Sequence, residues 1–393
     1  MKIFRKKLKN CIAFFLFFVM LQSECTLVAF ADESTKPQLL SESYVLMEAS
    51  TGTILHEKDS HKVLPPASIT KIMTLLLIYE ALEEGSITKD TIVTTTDHAA
   101  SMGGSQVYLE PGEQQTVETL IKCICISSAN DACVAMAEHL AGTEEAFVEE
   151  MNKKAKELGM NDTHFVNCCG LDVDGHVSTA YDIALMSKEL MSRFPDIRTY
   201  TTTRIDSMTH VTNKGSSEFG LTNTNKLLTS YEGITGLKTG STSKARYCLS
   251  ATATRNNIDM IAVVLSAPDT KTRFREAATL LNYGFSQCKI YVDEHTDLEP
   301  IKVMVEKSME QEVVLVPKDN FKYISVEKED FDQITEEIHV YETISAPIAR
   351  GEELGTIIYS LNGKEIGRIA LLAENEIKEA VYLDYLKKIL SYF

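Results

Sequence analysis

Hydrophobic residues change their spacing along the 393-residue chain, and the change predicts two folded domains. From residue 38 to about residue 290, short apolar runs typical of strands are mixed with longer stretches that are apolar at helical spacing. Because strands and helices share one region, we expect a sheet covered by helices, an α/β or α+β domain. The pattern predicts a hairpin over 44–57, helices over 68–84, 117–127, 131–140, 144–158 and 272–284, and neighbouring strands over 248–253 and 260–267.

Beyond Cys288 the chain alternates apolar and polar residues with a period of two, which is typical of half-buried strands. The last of these runs contains Asn362-Gly363, a strong signal for a two-residue hairpin turn. We therefore expect a small all-β domain over residues 291–373. Its predicted strands cover 301–306, 312–316, 337–343 and 356–373.

The C-terminal residues 374–393 return to helical spacing. One stripe at i+4 spacing contains Ile377, Val381, Tyr385, Ile389 and Phe393, and most of the charged residues fall outside it. We expect an amphipathic helix that lies on a membrane surface, because the stretch is too short and too polar to span a bilayer. The alternative is a helix that packs this stripe against the β domain.

The first 31 residues have the features of an export signal. Basic residues precede an apolar run from Cys11 to Met20, and Ala29-Phe30-Ala31 provides a small-x-small cleavage site. Polar residues at 22–24 interrupt the run well before the roughly 20 apolar residues that a spanning anchor needs. We expect an exported chain that begins at Asp32 and acts at the extracytoplasmic face of the cell membrane.

The net charge and the cysteines argue against nucleic-acid binding and against a disulfide framework. A net charge of −17 argues against nucleic-acid binding, which relies on neutralising phosphates. Seven cysteines follow the predicted signal, an odd number that includes the adjacent pair Cys168-Cys169, so we expect mostly buried free thiols and no disulfide framework. The chain contains neither C-x-x-C nor H-E-x-x-H, so the sequence predicts no metal and no other cofactor.

The first candidate for chemistry is the pair Ser68 and Lys71. Residues i and i+3 share one helix face, which places a hydroxyl beside an amine that can accept its proton. The S-x-x-K pattern alone is weak, because it also occurs at Ser86, Ser241, Ser286 and Ser325. Only Ser68 begins a strongly apolar helix after Pro65-Pro66, where a backbone N–H at the helix start can also bind an oxyanion.

Two further triplets supply polar groups. Ser128-Ala129-Asn130 lies between two predicted helices, where a hydroxyl and an amide could face a pocket. Lys238-Thr239-Gly240 occurs once in the chain, and we expect a strand to follow it. Its lysine and threonine can bind a carboxylate, while glycine lets a substrate approach the backbone closely.

Taken together and in this order, the three motifs match the set typical of penicillin-binding proteins and serine β-lactamases. The sequence resembles the low-molecular-mass penicillin-binding proteins, D-alanyl-D-alanine carboxypeptidases of the peptidase S11 type. The similar stretches are Pro66–Lys71, Leu109–Glu113, Ser128–Ala132, Gly170–Asp172 with Gly175–Ala180, and Gly236–Gly240. The resemblance implies a serine β-lactamase/transpeptidase-like catalytic domain over residues 32–290, followed by the β domain and the terminal helix.

The resemblance also implies a role for each motif residue. Ser68 would be the acylated nucleophile, Lys71 its general base, and Ser128 a proton relay towards the leaving amine. The substrate-binding residues would be Asn130 for the amide, and Lys238, Thr239, Gly240, Ser241 and Arg273 around the terminal carboxylate and the oxyanion hole, the latter formed by the N–H groups of Ser68 and Ser241. For Arg273 an exposed salt bridge is the alternative. Ser241 and Cys168-Cys169 depart from residues common in the family.

The function implied is removal of the terminal D-Ala from peptidoglycan stem pentapeptides through an acyl-serine, with β-lactams as acylating inhibitors and the membrane surface as a further partner. The alternatives are a serine β-lactamase and a catalytically silent wall-binding protein. Within the site, a Ser68–His176–Asp182 triad and a Glu157–Asn161 deacylation pair are the competing assignments, both less favoured than the lysine base.

Overall fold

The computed structural model describes residues 36–327 and 329–390. The predicted export signal over residues 1–31 and Phe393 of the predicted stripe lie outside these residues. The described elements belong to one compact unit, Pro37–Phe393. None of the helices in the described ranges is long and apolar enough to cross a bilayer.

Strands and α-helices are numbered here in chain order. The strands are β1 Ser43–Glu48, β2 Ile54–Lys58, β3 Ile92–Thr94, β4 Gln114–Thr116, β5 Ile205–Thr212, β6 Gly215–Thr222, β7 Ile234–Thr242, β8 Arg246–Arg255, β9 Ile258–Ala267, β10 Lys289–Asp293, β11 Ile301–Glu306, β12 Glu312–Pro317, β13 Phe321–Ser325, β14 Ile334–Val340, β15 Thr343–Ser345, β16 Glu353–Leu361 and β17 Lys364–Ala373. The helices are α1 Lys71–Glu83, α2 Asp97–Ala100, α3 Val117–Lys122, α4 Asn130–Ala141, α5 Glu144–Glu157, α6 Ala180–Arg193, α7 Arg198–Thr201, α8 Thr270–Gln287 and α9 Tyr382–Leu390.

The centre of the catalytic region is a five-stranded antiparallel sheet with the order β2-β1-β9-β8-β7. Side chains along β1 alternate between its two faces, as a strand requires. Val45 and Met47 pack into a core with α1, α4 and α6, whereas Tyr44 and Leu46 pack into a second core beneath α8. The sheet is therefore covered on both faces, and β7 lies at its edge.

The C-terminal region is a six-stranded sheet with the order β14-β16-β17-β12-β11-β15, accompanied by the β10–β13 pair. Its own core includes Tyr359, which is fully buried and stacks on Phe321 with ring centroids 3.7 Å apart. The β16–β17 hairpin turns at Asn362 and Gly363, both with positive φ, as a type I′ turn demands. The all-β prediction and its turn are confirmed.

Several predicted elements are extended or corrected. The hairpin, the buried helix and the closing helix are present as β1–β2, α1 and α8. The sequence analysis missed α6 and the β5–β6 hairpin. Lys238-Thr239-Gly240 itself lies within β7, and the strand expected to follow it is β8. The predicted strand over 337–343 is divided between β14 and β15.

The C-terminal helix is shorter than predicted. It covers Tyr382–Leu390, and Ile377, expected on its apolar stripe, lies before it. Ile377 pairs with Ile348 in an isolated bridge and is 2% exposed within the core of the β domain. Ile377 therefore fits the helical spacing of the sequence but makes a strand-like contact, because burial against the sheet removes its side chain from water.

Candidate active site

Ser68 lies in a 3₁₀ turn, Ala67–Thr70, that leads directly into α1. Ile69 within the turn and Ile72 just after it are fully buried, which fixes the turn against the core. Ala67 has a φ of 49°, an unusual backbone conformation for a residue with a side chain. Ser68 is only partly buried, so its hydroxyl is open to a substrate while the turn that carries it is held in place.

Lys71 is one turn further along and is completely buried. Its Nζ lies 3.1 Å from the Ser68 Oγ, 2.6 Å from the Asn130 Oδ1 and 2.7 Å from the Cys169 carbonyl oxygen. Two of these three partners can only accept hydrogen bonds. The side chain is thus aimed at the serine by one residue from α4 and one from the loop before α6.

Ser128 and Asn130 are placed by an irregular stretch of helix. The π-helical turn Cys123–Ser127 ends at Ser128, whose φ of 60° is left-handed, and α4 begins at Asn130. The Asn130 Nδ2 donates to the Gly103 carbonyl at 2.7 Å, so both ends of this amide are engaged. Such a turn in a helix often marks a functional site, and here it places Asn130 against Lys71 and Ser128 against Lys238.

Asp131 holds the loop that passes over Asn130. Its buried carboxylate accepts backbone N–H bonds from Val107 and Leu109 at 3.0 and 3.1 Å. Burial raises the pKa of Asp131, and these N–H bonds oppose the rise because they stabilise the carboxylate. The loop that supplies the Gly103 carbonyl is therefore tied to the helix that carries Asn130.

Lys238 extends from the edge strand β7 into the same cluster. Its Nζ donates to the Ser128 Oγ at 2.8 Å and to the Thr239 carbonyl at 3.1 Å. Burial, and secondly the charge of Lys71, lowers the pKa of Lys238 to about 7. The Thr239 hydroxyl shares a 2.6 Å hydrogen bond with that of Thr224.

Two glycines allow the backbones to meet at Ser68. A Cβ on Gly240 would lie 3.1 Å from the Ser68 backbone nitrogen, so β7 packs directly against the start of the serine turn. A Cβ on Gly170 would lie 1.8 Å from the Ala67 carbonyl oxygen, which no side chain can do. Because Gly170 has no side chain, its backbone can pack directly against Ala67, the residue before the serine, and hold it in position.

Arg273 is not the exposed salt bridge that the sequence left open. It is 7% exposed, lies in the first turns of α8, and donates through Nη1 to the Gly240 carbonyl at 2.9 Å. The rings of Tyr247 and Phe274 flank its guanidinium. Its Nε is buried without a hydrogen-bond partner among the described residues. The arginine thus supports the backbone of the lysine-threonine-glycine triplet from behind.

The two competing assignments are not supported by the geometry. The His176 Nε2 bonds to the Thr70 hydroxyl at 2.8 Å, and burial lowers the pKa of His176 to about 4. Asp182 bonds to the Asp162 N–H and the Thr163 hydroxyl instead of completing a triad. Glu157 ends α5 at the surface, where an ion pair with Lys154 lowers its pKa.

The structure joins five of the predicted residues through hydrogen bonds: Ser68, Lys71 and Asn130 in one set, Ser128 and Lys238 in another. Thr239, Gly240 and Arg273 lie directly behind them, and Ser241 is exposed at the end of the triplet. The sequence analysis missed the contributions of Gly103, Asp131, Cys169 and Thr224. Two residues in the sequence could have indicated these contributions: Asp131, which is adjacent to Asn130, and Gly170, which is adjacent to Cys169.

A serine hydroxyl beside a buried lysine, in a turn packed against the edge strand of an antiparallel sheet, is an arrangement typical of a serine hydrolase. The chain belongs to the peptidase S11 family, because residues 31–269 match the family model described as D-alanyl-D-alanine carboxypeptidase. Residues 287–379 match the C-terminal domain of penicillin-binding protein 5.

Individual members of the family are similar in sequence to most of this chain. The D-alanyl-D-alanine carboxypeptidase DacF of Bacillus subtilis (strain 168) is 42% identical over 88% of this chain and 88% of its own. DacC of Escherichia coli (strain K12) is 32% identical over 89% and 88%. Among solved structures, penicillin-binding protein 5 of Haemophilus influenzae is 30% identical with a TM-score of 0.65, covering 88% of this chain and 99% of that one.

Proposed function

We propose that this protein is an exported serine D,D-carboxypeptidase that removes the terminal D-Ala from peptidoglycan stem pentapeptides, and that β-lactams acylate the same serine. The observation that carries the proposal is the set of three atoms around the Lys71 Nζ. A neutral amine has two N–H donors and one lone pair. The Asn130 Oδ1 and the Cys169 carbonyl take the two donors, and the lone pair then faces the Ser68 hydroxyl.

Lys71 in this state is the general base that activates Ser68. As the Ser68 Oγ attacks the carbonyl carbon of the penultimate D-Ala, its proton passes to Lys71. The oxyanion is bound by the backbone N–H groups of Ser68 and Ser241, a pair of donors worth about 3 kcal/mol each in related chemistry. The close contact of Gly240 with the Ser68 nitrogen supports this pairing.

Ser128 carries a proton to the leaving D-Ala amine. Its hydroxyl accepts from the Lys238 Nζ, which leaves its own hydrogen free to point towards the cleft. Departure of D-Ala leaves an ester on Ser68. The proton that Lys71 took from Ser68 leaves with this amine by way of Ser128, so Lys71 is neutral again. Water then attacks the ester while Lys71 accepts its proton, and Lys71 returns that proton to the Ser68 Oγ as the ester bond breaks, which releases the shortened stem peptide and the free serine. Asn130 holds the substrate amide through the second hydrogen of its Nδ2.

Lys238 and Thr239 bind the terminal carboxylate of the substrate. The buried Lys238 ammonium bonds to a hydroxyl and a carbonyl and not to a carboxylate, so a substrate carboxylate can supply its counter-charge. Arg273 fixes the Gly240 backbone and adds positive charge from behind. A β-lactam presents a carboxylate and a reactive amide in the same arrangement, so it enters the same acylation step.

The terminal helix α9 anchors the protein to a membrane surface. Its large apolar residues Leu383, Tyr385, Ile389 and Leu390 are exposed, and none of its residues is buried against the β domain. This exposure favours the membrane over the packed-helix alternative, because apolar groups gain by leaving water. The β domain would then hold the catalytic cleft away from that surface.

The test is acylation by a penicillin, followed by intact mass measurement and peptide mapping of the adduct. We expect one adduct, on Ser68, and release of D-Ala from a peptide ending in D-Ala-D-Ala. Ser68→Ala should lose both activities and remain folded. Ser86→Ala is the matched control, because Ser86 begins a second S-x-x-K at the surface and its hydroxyl donates to the Ala81 carbonyl. Labelling of the Ser68→Ala variant would refute the assignment.

Turnover separates the carboxypeptidase from the alternatives. A carboxypeptidase should release D-Ala repeatedly while holding the penicillin adduct for many turnovers. Rapid penicillin hydrolysis with no release of D-Ala would identify a β-lactamase instead. Absence of any adduct would identify a silent wall-binding protein.

A further inference from the structure

A group of metal-binding side chains lies behind the cleft and takes no part in the proposed reaction. The Sγ atoms of Cys168 and Cys169 are 3.6 Å apart. One oxygen of Glu144 and these two sulfurs lie within 4.8 Å of one another. No sequence motif predicts this group, because the carboxylate comes from the first turn of α5 and the thiols are adjacent instead of spaced as C-x-x-C.

The spacing of the two sulfurs suits a metal better than a bond between them. Tetrahedral zinc with Zn–S bonds of about 2.3 Å places two sulfurs about 3.8 Å apart, close to the observed 3.6 Å. A disulfide needs sulfurs about 2.05 Å apart and Cα atoms usually 4.4–6.8 Å apart. Adjacent Cα atoms are only about 3.8 Å apart across a trans peptide, so the pair would close a disulfide only under strain.

The carboxylate is already oriented towards the thiols. The Glu144 Oε1 accepts the Cys168 backbone N–H at 3.0 Å, and the His98 Nε2 lies 3.7 Å from its Oε2. Supporting contacts of this kind fix the direction of a metal ligand. The Glu144 side chain is 13% exposed, whereas both cysteines are buried, so an ion would enter from the side of the glutamate.

We propose that Cys168, Cys169 and Glu144 form a binding site for a thiophilic divalent metal ion, with Zn²⁺ as its natural class. Binding replaces the two thiol protons, so that Zn²⁺ takes two thiolates and one carboxylate and releases two protons to solvent. Metal binding would link α5 to the loop that contains both cysteines. In this loop the Cys169 carbonyl accepts a hydrogen bond from Lys71, and the Cys168 carbonyl accepts one from the Thr74 hydroxyl. The site itself does not depend on the proposed catalytic roles.

The experiment titrates Zn²⁺ into the full chain, reduced and freed of metal, and follows heat release and thermal unfolding. We expect one Zn²⁺ per chain and a rise in Tm with zinc concentration, because a ligand that binds only the folded state stabilises it. Titration with Cd²⁺ should give thiolate-to-metal absorption of a size that corresponds to two thiolates.

Two variants locate the site. Glu144→Gln keeps an acceptor for the Cys168 N–H but removes the charge, and we expect its Kd for Zn²⁺ to rise at least tenfold. Glu145→Gln is the matched control, since Glu145 is the next residue of α5, carries the same charge and is exposed; its Kd should equal that of the wild type. Cys168→Ser with Cys169→Ser should lose binding. Cooperative unfolding of each metal-free variant in urea, followed by circular dichroism, reports that it is folded.

Three results would overturn the proposal. The first is a zinc stoichiometry near zero for the reduced wild type. The second is an unchanged Kd in Glu144→Gln and in the double serine variant, which would place the ion elsewhere. The third is loss of two thiols in unreduced, metal-free protein, which would assign the cysteine pair to disulfide chemistry.

Discussion

Replacing Gly170 with alanine tests how far the position of Ser68 depends on a backbone contact outside the catalytic motifs. Gly170 has a φ of 85°, and its Cα faces the Ala67 carbonyl. The added Cβ would lie 1.8 Å from that oxygen, whereas real Cβ contacts are essentially never under 3.0 Å. The two backbones must therefore separate by about 1.2 Å, and Ala67 carries Ser68 with it.

The expected cost has two parts. A side chain at this φ costs about 1–2 kcal/mol wherever it occurs. The separation acts on catalysis, because a misplacement of about 1 Å can lower a rate by about 100-fold. We therefore expect the rate of acylation by a penicillin to fall by about 100-fold or more, and the free energy of unfolding to fall by at least about 2 kcal/mol.

Gly175→Ala is the matched control. Gly175 has the same φ of 85° in the same loop, but a Cβ there would meet its nearest neighbours at 3.9 Å, an ordinary contact. This variant should show the conformational cost alone, with acylation within a few-fold of the wild type. The assay is the second-order rate of labelling by a fluorescent penicillin, with unfolding followed in urea. Equal acylation rates in the two variants would refute the link between Gly170 and Ser68.

Three further predictions follow from pKa shifts and burial. Lys238 has its pKa lowered to about 7 and loses its charge above that pH, so acylation by carboxylate-bearing substrates should fall as pH rises through 7; Lys238→Arg should flatten this limb of the pH–rate profile. His176 binds a proton near pH 6.5 when unfolded but only near pH 4 when folded, so about 3 kcal/mol of stability should be lost as pH falls through this window; urea unfolding of His176→Asn should lack that loss. A chain ending at Glu379 retains the buried Ile377, and should stay folded but lose binding to anionic liposomes; undiminished binding would exclude α9 as the anchor.

The catalytic motifs could be predicted because each is local in sequence. Ser68 and Lys71 share a helix face, and the apolar stretch after them required burial on all sides. The order of the three motifs then linked segments that no short-range pattern could connect. The Asn362-Gly363 turn was predictable for the same reason, since a type I′ turn requires positive φ at two adjacent residues.

What could not be predicted depends on contacts between distant segments. The Cys169 carbonyl that receives Lys71 is a backbone atom, so its residue type gives no signal. For Arg273 the sequence left open a place near the carboxylate site or an exposed salt bridge, and only the packing of α8 against β8 and β9 shows that it is buried. Ile377 followed the helical spacing but was taken by the core of the β domain, because tertiary burial outweighs a weak local pattern.

The order of strands in the central sheet has a consequence for how the protein is made. β1 is paired on one side with β2, its neighbour in sequence, but on the other with β9, which lies more than 200 residues later in the chain. A growing chain therefore leaves the second edge of β1 unpaired until residue 267 has emerged, and long-range pairing of this kind closes slowly. Lys238 on β7 reaches Ser128 only through the same late strands. Incomplete chains consequently lack the finished cleft, and the unpaired strand is the part that a chaperone or a protease would encounter first.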